Sequence, residues 1–140
     1  MDQETRIAVS GGFDPVHEGH IDYLADAAKF GKVVVLLNTD EWLMRKKGYV
    51  FMPWRERMLV LRSIRYVDDV MMAIDGDNTV IGTFYKYPNY FSYFGKGGDR
   101  GPTNTPENEV CEKFGIRMIY GLGGAKKQSS SDLVRNVQKH

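Results

Sequence analysis

Cysteine is nearly missing from this chain: Cys111 stands alone among 140 residues. One thiol builds no internal disulfide framework and leaves a reducing compartment open. Long apolar runs are missing as well. The run Val33 to Leu37 and its like fall far short of the roughly 20 residues that a membrane-spanning helix needs. A dominant charge is also lacking. Nineteen Lys and Arg face eighteen Asp and Glu, a formal net charge of +1, so no global field recruits nucleic acid or a membrane surface. There is no internal repeat and no low-complexity tract. The polar start Met1 to Arg6 has no signal-peptide core, and the expected location is the cytoplasm.

What remains is ordinary in bulk. Hydrophobic residues are 42% and charged residues 26%, as in a globular protein, and 140 residues predict one domain over 1–140. Apolar runs bounded by turn residues alternate with helical spacing. Strands are expected at Arg6–Ser10, Val33–Leu37, Asp69–Ala73, Tyr90–Phe94 and Ile116–Tyr120. Helices are expected at His17–Phe30, Glu41–Lys46, from Pro53 through Ile64, Thr79–Tyr87, Pro106–Phe114 and Ser129–His140, with a mobile basic loop over Arg45–Tyr49. Alternation of this kind predicts an α/β fold: a Rossmann-like, doubly wound, five-stranded parallel sheet with helices on both faces. Ligands on such sheets bind beyond the carboxyl ends of the strands.

The most informative segment follows the first strand. Gly11-Gly12-Phe13-Asp14-Pro15-Val16-His17-Glu18-Gly19-His20 is a glycine turn leading into a helix. Glycine keeps side chains away so that a ligand can approach the backbone. His17 and His20 fall on one face of the first helical turn, beside amides that carry partial positive charge. Phosphate suits such a place. Two blander uses compete. The pair could ligate zinc, but beyond Cys111 and His140 there are few ligands for a closed site. It could also be a structural pair behind a turn.

Two more segments follow predicted strands and should reach the same rim. Lys96-Gly97-Gly98-Asp99-Arg100 offers backbone access, an acceptor and a bidentate phosphate ligand. Alone, it reads more readily as a charged turn, and its position after a strand reverses that preference. Ser129, Ser130 and Ser131 open the last expected helix and suit phosphate oxygens, or simply cap that helix with Asp132. The aromatic cluster from Phe84 to Phe94 reads as packing rather than base stacking.

The glycine turn with His17-Glu18-Gly19-His20 resembles the His-x-Gly-His signature of the nucleotidyltransferase superfamily. Across about Arg6 to Val137 the chain resembles the cytidylyltransferase-like members, among them glycerol-3-phosphate cytidylyltransferase and the adenylyltransferase that forms ADP-heptose. The resemblance implies transfer of a nucleotidyl group from a nucleoside triphosphate to a phosphorylated small alcohol or sugar, with release of pyrophosphate. It implies His17, His20 and Lys46 as catalytic residues. It implies Gly11, Gly12, Phe13, Asp14, Gly19, Lys47, Lys96, Gly97, Gly98, Asp99, Arg100, Ser129, Ser130 and Ser131 around the nucleotide. Asp40, Arg57 and Arg65 stand where relatives shape the acceptor site; each arginine, seen alone, would read as a surface salt-bridge residue. Mg²⁺ is expected with the triphosphate, with Asp14 close by and no resident metal site, and a homodimer is implied.

Thr39-Asp40-Glu41-Trp42 and Ser63-Ile64-Arg65-Tyr66-Val67-Asp68 favour CTP, whereas Lys96-Gly97-Gly98-Asp99 favours ATP with a sugar 1-phosphate. A non-catalytic nucleotide-binding protein and a metal-dependent hydrolase are the readings from other classes.

Overall fold

The computed structural model describes residues 4–98 and 105–124. Asp99, Arg100, Lys126, Lys127, Ser129, Ser130, Ser131 and the expected last helix lie outside them. The chain runs β1 (Arg6–Gly11), α1 (Glu18–Ala27), β2 (Lys32–Leu37), α2 (Asp40–Lys47), α3 (Trp54–Arg62), β3 (Val67–Met72), α4 (Ile81–Lys86), β4 (Tyr93–Gly97), α5 (Asn108–Lys113) and β5 (Arg117–Leu122). All pairings are parallel, in the order β3-β2-β1-β4-β5. The winding therefore reverses between β1 and β4, and a crevice opens beyond their carboxyl ends.

Alternation along the strands builds two cores. Ile7 and Val9 of β1 and Val33, Val35 and Leu37 of β2 pack with Leu24, Ala27 and Leu61 from α1 and α3. Ala8, Val34 and Leu36 point the other way and pack with Phe84, Phe91, Phe94, Val110 and Cys111 around α4 and α5. β2 is apolar on both sides because both sides are covered. Burial lifts the Cys111 thiol to about 12, with the nearby Glu107 charge adding to the rise and Lys96 opposing it.

Three expected elements need correction. β4 starts three residues later than the aromatic run suggested. Tyr90 lies in the preceding turn, and Phe91 plugs the second core edge-on to Phe84, with ring centroids 5.6 Å apart. Aromatic residues favour strands because they pack, and here they pack without pairing. Lys96 and Gly97 accordingly belong to β4 and not to the loop after it. The helix expected over Glu41–Lys46 runs on to Lys47, so Arg45, Lys46 and Lys47 form the last turn of α2 and not the start of the expected basic loop. Their charges complement the helix dipole, and Gly48 closes the helix at φ +82°. Finally, α1 stops at Ala27, short of Phe30, because the chain tightens into a turn over 28–30.

Candidate functional site

β1 delivers the chain to the glycine turn. A Cβ on Gly11 would sit 3.0 Å from the Phe13 ring, and one on Gly12 would sit 2.9 Å from Leu43 Cδ2. Phe13 takes φ +50°, and its buried ring lies 4.7 Å from that of His20.

His17 is the N-cap of α1. Its Nδ1 accepts the Gly19 N–H at 3.1 Å, and His20 Nδ1 accepts the His17 N–H at 3.1 Å. The pair forms a capping box built from histidines. An Nδ1 that accepts a backbone N–H leaves the neutral ring's own proton on Nε2. Both rings therefore present Nε2–H as donor. They are stacked 3.9 Å apart at 23°.

A buried clasp fixes the segments around this turn. Asp14 is fully buried; its Oδ2 accepts the Phe51 N–H at 2.7 Å and its Oδ1 accepts the Met52 N–H at 2.5 Å. Arg57 is 0% exposed and gives every guanidinium nitrogen away. Nε donates to Met52 O, Nη1 to Gly12 O and Asn38 O, each at 2.8 Å, and Nη2 to Asp40 Oδ1 at 2.6 Å. Burying a guanidinium is costly unless its protons are matched, and these acceptors take four of the five. One side chain thus ties the turn after β1, the turn after β2, the start of α2 and the approach to α3.

Asp75 secures the next edge, accepting from Asn38 Nδ2, Thr39 N and Thr39 Oγ1 at 2.8 to 3.0 Å. Arg45 Nη2 holds Asp75 O at 2.8 Å and its Nε holds Asn78 Oδ1 at 2.9 Å. Lys46 is exposed on the last turn of α2, with Nζ 5.9 Å from the Trp42 ring centroid. Lys47 is its half-buried neighbour.

At the far side of the crevice, Tyr23 Oη donates to Gly95 O at 2.6 Å, which docks α1 against β4. Gly97 is required there: a Cβ would lie 3.1 Å from Leu122 O and 3.2 Å from the Tyr23 ring. Gly98 follows at φ +61°.

The expected residues are therefore sorted by the fold. Gly11, Gly12, Phe13, Asp14, His17, Gly19, His20, Lys96, Gly97 and Gly98 gather at the carboxyl ends of β1 and β4; Asp40 opens α2 just after β2, and Lys46 and Lys47 close that helix. Asp14 and Arg57 are both turned inward on backbone groups, so they shape the rim rather than face the crevice. Arg65 precedes β3, at the amino edge of the sheet, where it is exposed and lies 5.0 Å from the Tyr66 ring centroid. The fold does not bring it to the other site residues. Among the described residues, no group of three His, Cys, Asp or Glu side chains is placed to hold a metal.

Sequence reasoning missed Asp75 and Glu107. Asp75 looks like an ordinary loop acid, and only its three-donor burial distinguishes it. Glu107 follows a cap-then-proline pair and reads as a first-turn helix acid, yet it is 4% exposed.

The comparisons bear on the whole arrangement. Residues 8–120 match the Cytidylyltransferase-like family. The chain belongs to that family. It is 41% identical to the Bifunctional protein HldE of Aeromonas hydrophila over 97% of this chain and 28% of that protein. It is 37% identical to the FAD synthase of Pyrococcus horikoshii over 54% of this chain and 53% of the synthase. It is 37% identical to the glycerol-3-phosphate cytidylyltransferase of Bacillus subtilis over 47% of this chain and 52% of that enzyme. The matches thus span about half the length of the two single-function relatives. A lipopolysaccharide core biosynthesis protein from Thermoplasma volcanium shares the fold, with TM-score 0.69 and 22% identity over 90% of this chain and all of that one. Among the described residues no helix is long and apolar enough to cross a membrane.

Proposed function

We propose that this member of the cytidylyltransferase-like family is a nucleotidyltransferase that moves CMP from CTP onto the phosphate of a small phosphorylated alcohol or sugar. The observation that carries the reading is the stacked pair His17 and His20, each locked by a backbone N–H so that Nε2–H is its donor. The acceptor phosphate is already ionised at neutral pH and needs no base. Its oxygen attacks the α-phosphorus, the α–β bridge breaks, and pyrophosphate leaves with the bond's electrons.

Catalysis is then positioning and charge stabilisation. The two imidazoles donate to phosphate oxygens as charge builds, and Lys46 with Lys47 neutralises the departing pyrophosphate. Gly97, Gly98, Asp99, Arg100 and Ser129 to Ser131 would line the nucleotide. Mg²⁺ would arrive on the triphosphate, since both Asp14 oxygens already serve backbone amides. A homodimer and a cytoplasmic location are further parts of this proposal.

A second reading, ATP with a sugar 1-phosphate, is favoured by the Lys96-Gly97-Gly98 segment and by the match to HldE along nearly the entire chain. One matrix tests both. CTP, ATP, UTP and GTP are paired with glycerol phosphate, choline phosphate, ethanolamine phosphate, pentose and heptose 1-phosphates and flavin mononucleotide. Released pyrophosphate is measured. Release with CTP and one acceptor is expected, ATP in its place supports the second reading, and release with no pair ends both.

A further inference from the structure

We propose that Glu107 and Lys96 form a hydroxyl-reading subsite for the organic part of the acceptor, so that the acceptor is a phosphorylated polyol or sugar and not a phosphorylated amine. This inference rests on the nucleotidyltransferase reading and specifies its substrate class.

The starting point is an orphan atom. Glu107 Oε2 accepts the Val80 N–H at 3.2 Å, but Glu107 Oε1 is buried without a hydrogen-bond partner. It is the one such side-chain atom found among the described residues. A buried carboxylate oxygen left unmatched is unfavourable by a few kcal/mol, so native proteins seldom keep one unless a water, an ion or a ligand supplies the match.

Glu107 and Lys96 both border a polar cleft of about 140 Å³ between the ends of β1 and β4, lined also by Gly11, Asn38, Trp42, Asn78 and Thr79. Gly11 also belongs to the glycine turn, so the cleft shares a wall with the segment that leads to the imidazoles, with the Phe13 ring packed between Gly11 and His20. Drug-sized ligands need roughly 300 Å³ or more, so this space suits a small group and excludes a fused ring system.

The pair's spacing selects the chemistry. Lys96 Nζ stands 4.0 Å from Glu107 Oε1, too far for a strong direct bond. A hydroxyl seated between them, with the Lys96 side chain turned aside to admit it, would donate to the carboxylate and accept from the ammonium at once. An ammonium in that position would meet Lys96 head-on. A methyl group would leave both polar ends unmatched. The neighbouring Trp42 ring and the Asn78 and Thr79 side chains are the usual company of a hydroxylated carbon chain, with an apolar face beside polar hydrogen-bonding groups.

Two measurements test the assignment. In wild-type protein, kcat/KM for glycerol phosphate or a sugar 1-phosphate should exceed that for n-propyl phosphate and ethanolamine phosphate by at least a hundredfold. In Glu107→Gln, the amide oxygen can keep the Val80 N–H while the amide nitrogen turns a donor toward the ligand. The KM for the hydroxylated acceptor should then rise at least tenfold, the KM for nucleotide should stay within twofold, and the advantage over n-propyl phosphate should shrink by the same factor.

A purely structural Glu107 would lower the melting temperature and affect all acceptors alike, which overturns the proposal. Wild-type indifference to acceptor hydroxyls overturns it too, whether or not the variant folds. Pyrophosphate release that ignores hydroxyls defeats this subsite alone, whereas no release from any pair defeats the parent reading.

Discussion

Asp14 and Arg57 hold the same residue from its two ends: Asp14 Oδ1 accepts the Met52 N–H at 2.5 Å, and Arg57 Nε donates to the Met52 carbonyl at 2.8 Å. Neither side chain reaches solvent. The segment before α3 is therefore fastened to the glycine turn by a charged clamp, and the clamp's other arms reach Asn38 and Asp40.

Removing Arg57 should act on stability and turnover together. Arg57→Met strands the buried Asn38 carbonyl, the half-buried Gly12 and Met52 carbonyls and the Asp40 carboxylate. A loss of about 3 to 5 kcal/mol is expected from chemical denaturation. Arg57→Lys should recover little, because a single ammonium cannot reproduce the planar fork.

His17 combines a cap with a proposed phosphate contact, and the two roles separate by substitution. His17→Ala should lose about 1 kcal/mol of stability along with about a hundredfold in turnover. His17→Asn supplies a good N-cap oxygen for the Gly19 N–H, so its melting temperature should approach wild type while turnover stays low. Turnover restored by asparagine would place the importance of His17 in the cap.

Gly95→Ala should be destabilising by about 1 to 3 kcal/mol through overpacking. Its Cβ would lie 2.5 Å from Leu122 Cδ1 and 3.1 Å from Ile7 Cδ1, in the middle of the sheet. A shorter partner, Leu122→Ala, should relieve part of that clash, and thermal melts of the single and double variants would measure the recovery.

Asp26 links α1 to the end of β5. The Gly123 N–H, and after it Lys29, hold its carboxyl below the ordinary range. A carboxyl with a lowered native pKa stabilises the fold above its unfolded value, near 3.9, and loses that effect as pH falls through the native value. Asp26→Asn should cost about 1 kcal/mol at pH 7, kept small by partial exposure. The gap to wild type should close below pH 4.

Cys111 should resist alkylation in the folded protein at pH 8 and react fully in denaturant. Its thiol, pushed up to about 12 and wholly buried, offers neither thiolate nor access.

Much of this design is legible in the sequence, and the illegible parts share a cause. β1, β2 and the histidine turn announce themselves because local pattern and final structure agree: an apolar run, glycines, then a capped helix. The start of β4 is hidden because Tyr90 and Phe91 satisfy strand preference while serving as core plugs. Lys47 reads as loop because a run of cations looks solvated, yet it completes the last turn of α2 and complements the helix dipole. Arg57 and Glu107 look like surface charges. Their burial depends on carbonyls and amides contributed by distant segments, and no local window contains those partners.

The two halves of the crevice are anchored in different layers of the molecule. His17 and His20 rise from α1, whose Leu24 and Ala27 belong to one apolar layer. Glu107 sits at the head of α5, whose Val110 and Cys111 belong to the other. The sheet separates them like a partition wall. Remodelling the packing beneath α4 and α5 would reshape the Glu107 side of the cleft and leave the imidazole pair seated as before; under the proposed function, such a scaffold changes its clientele without rebuilding its chemistry.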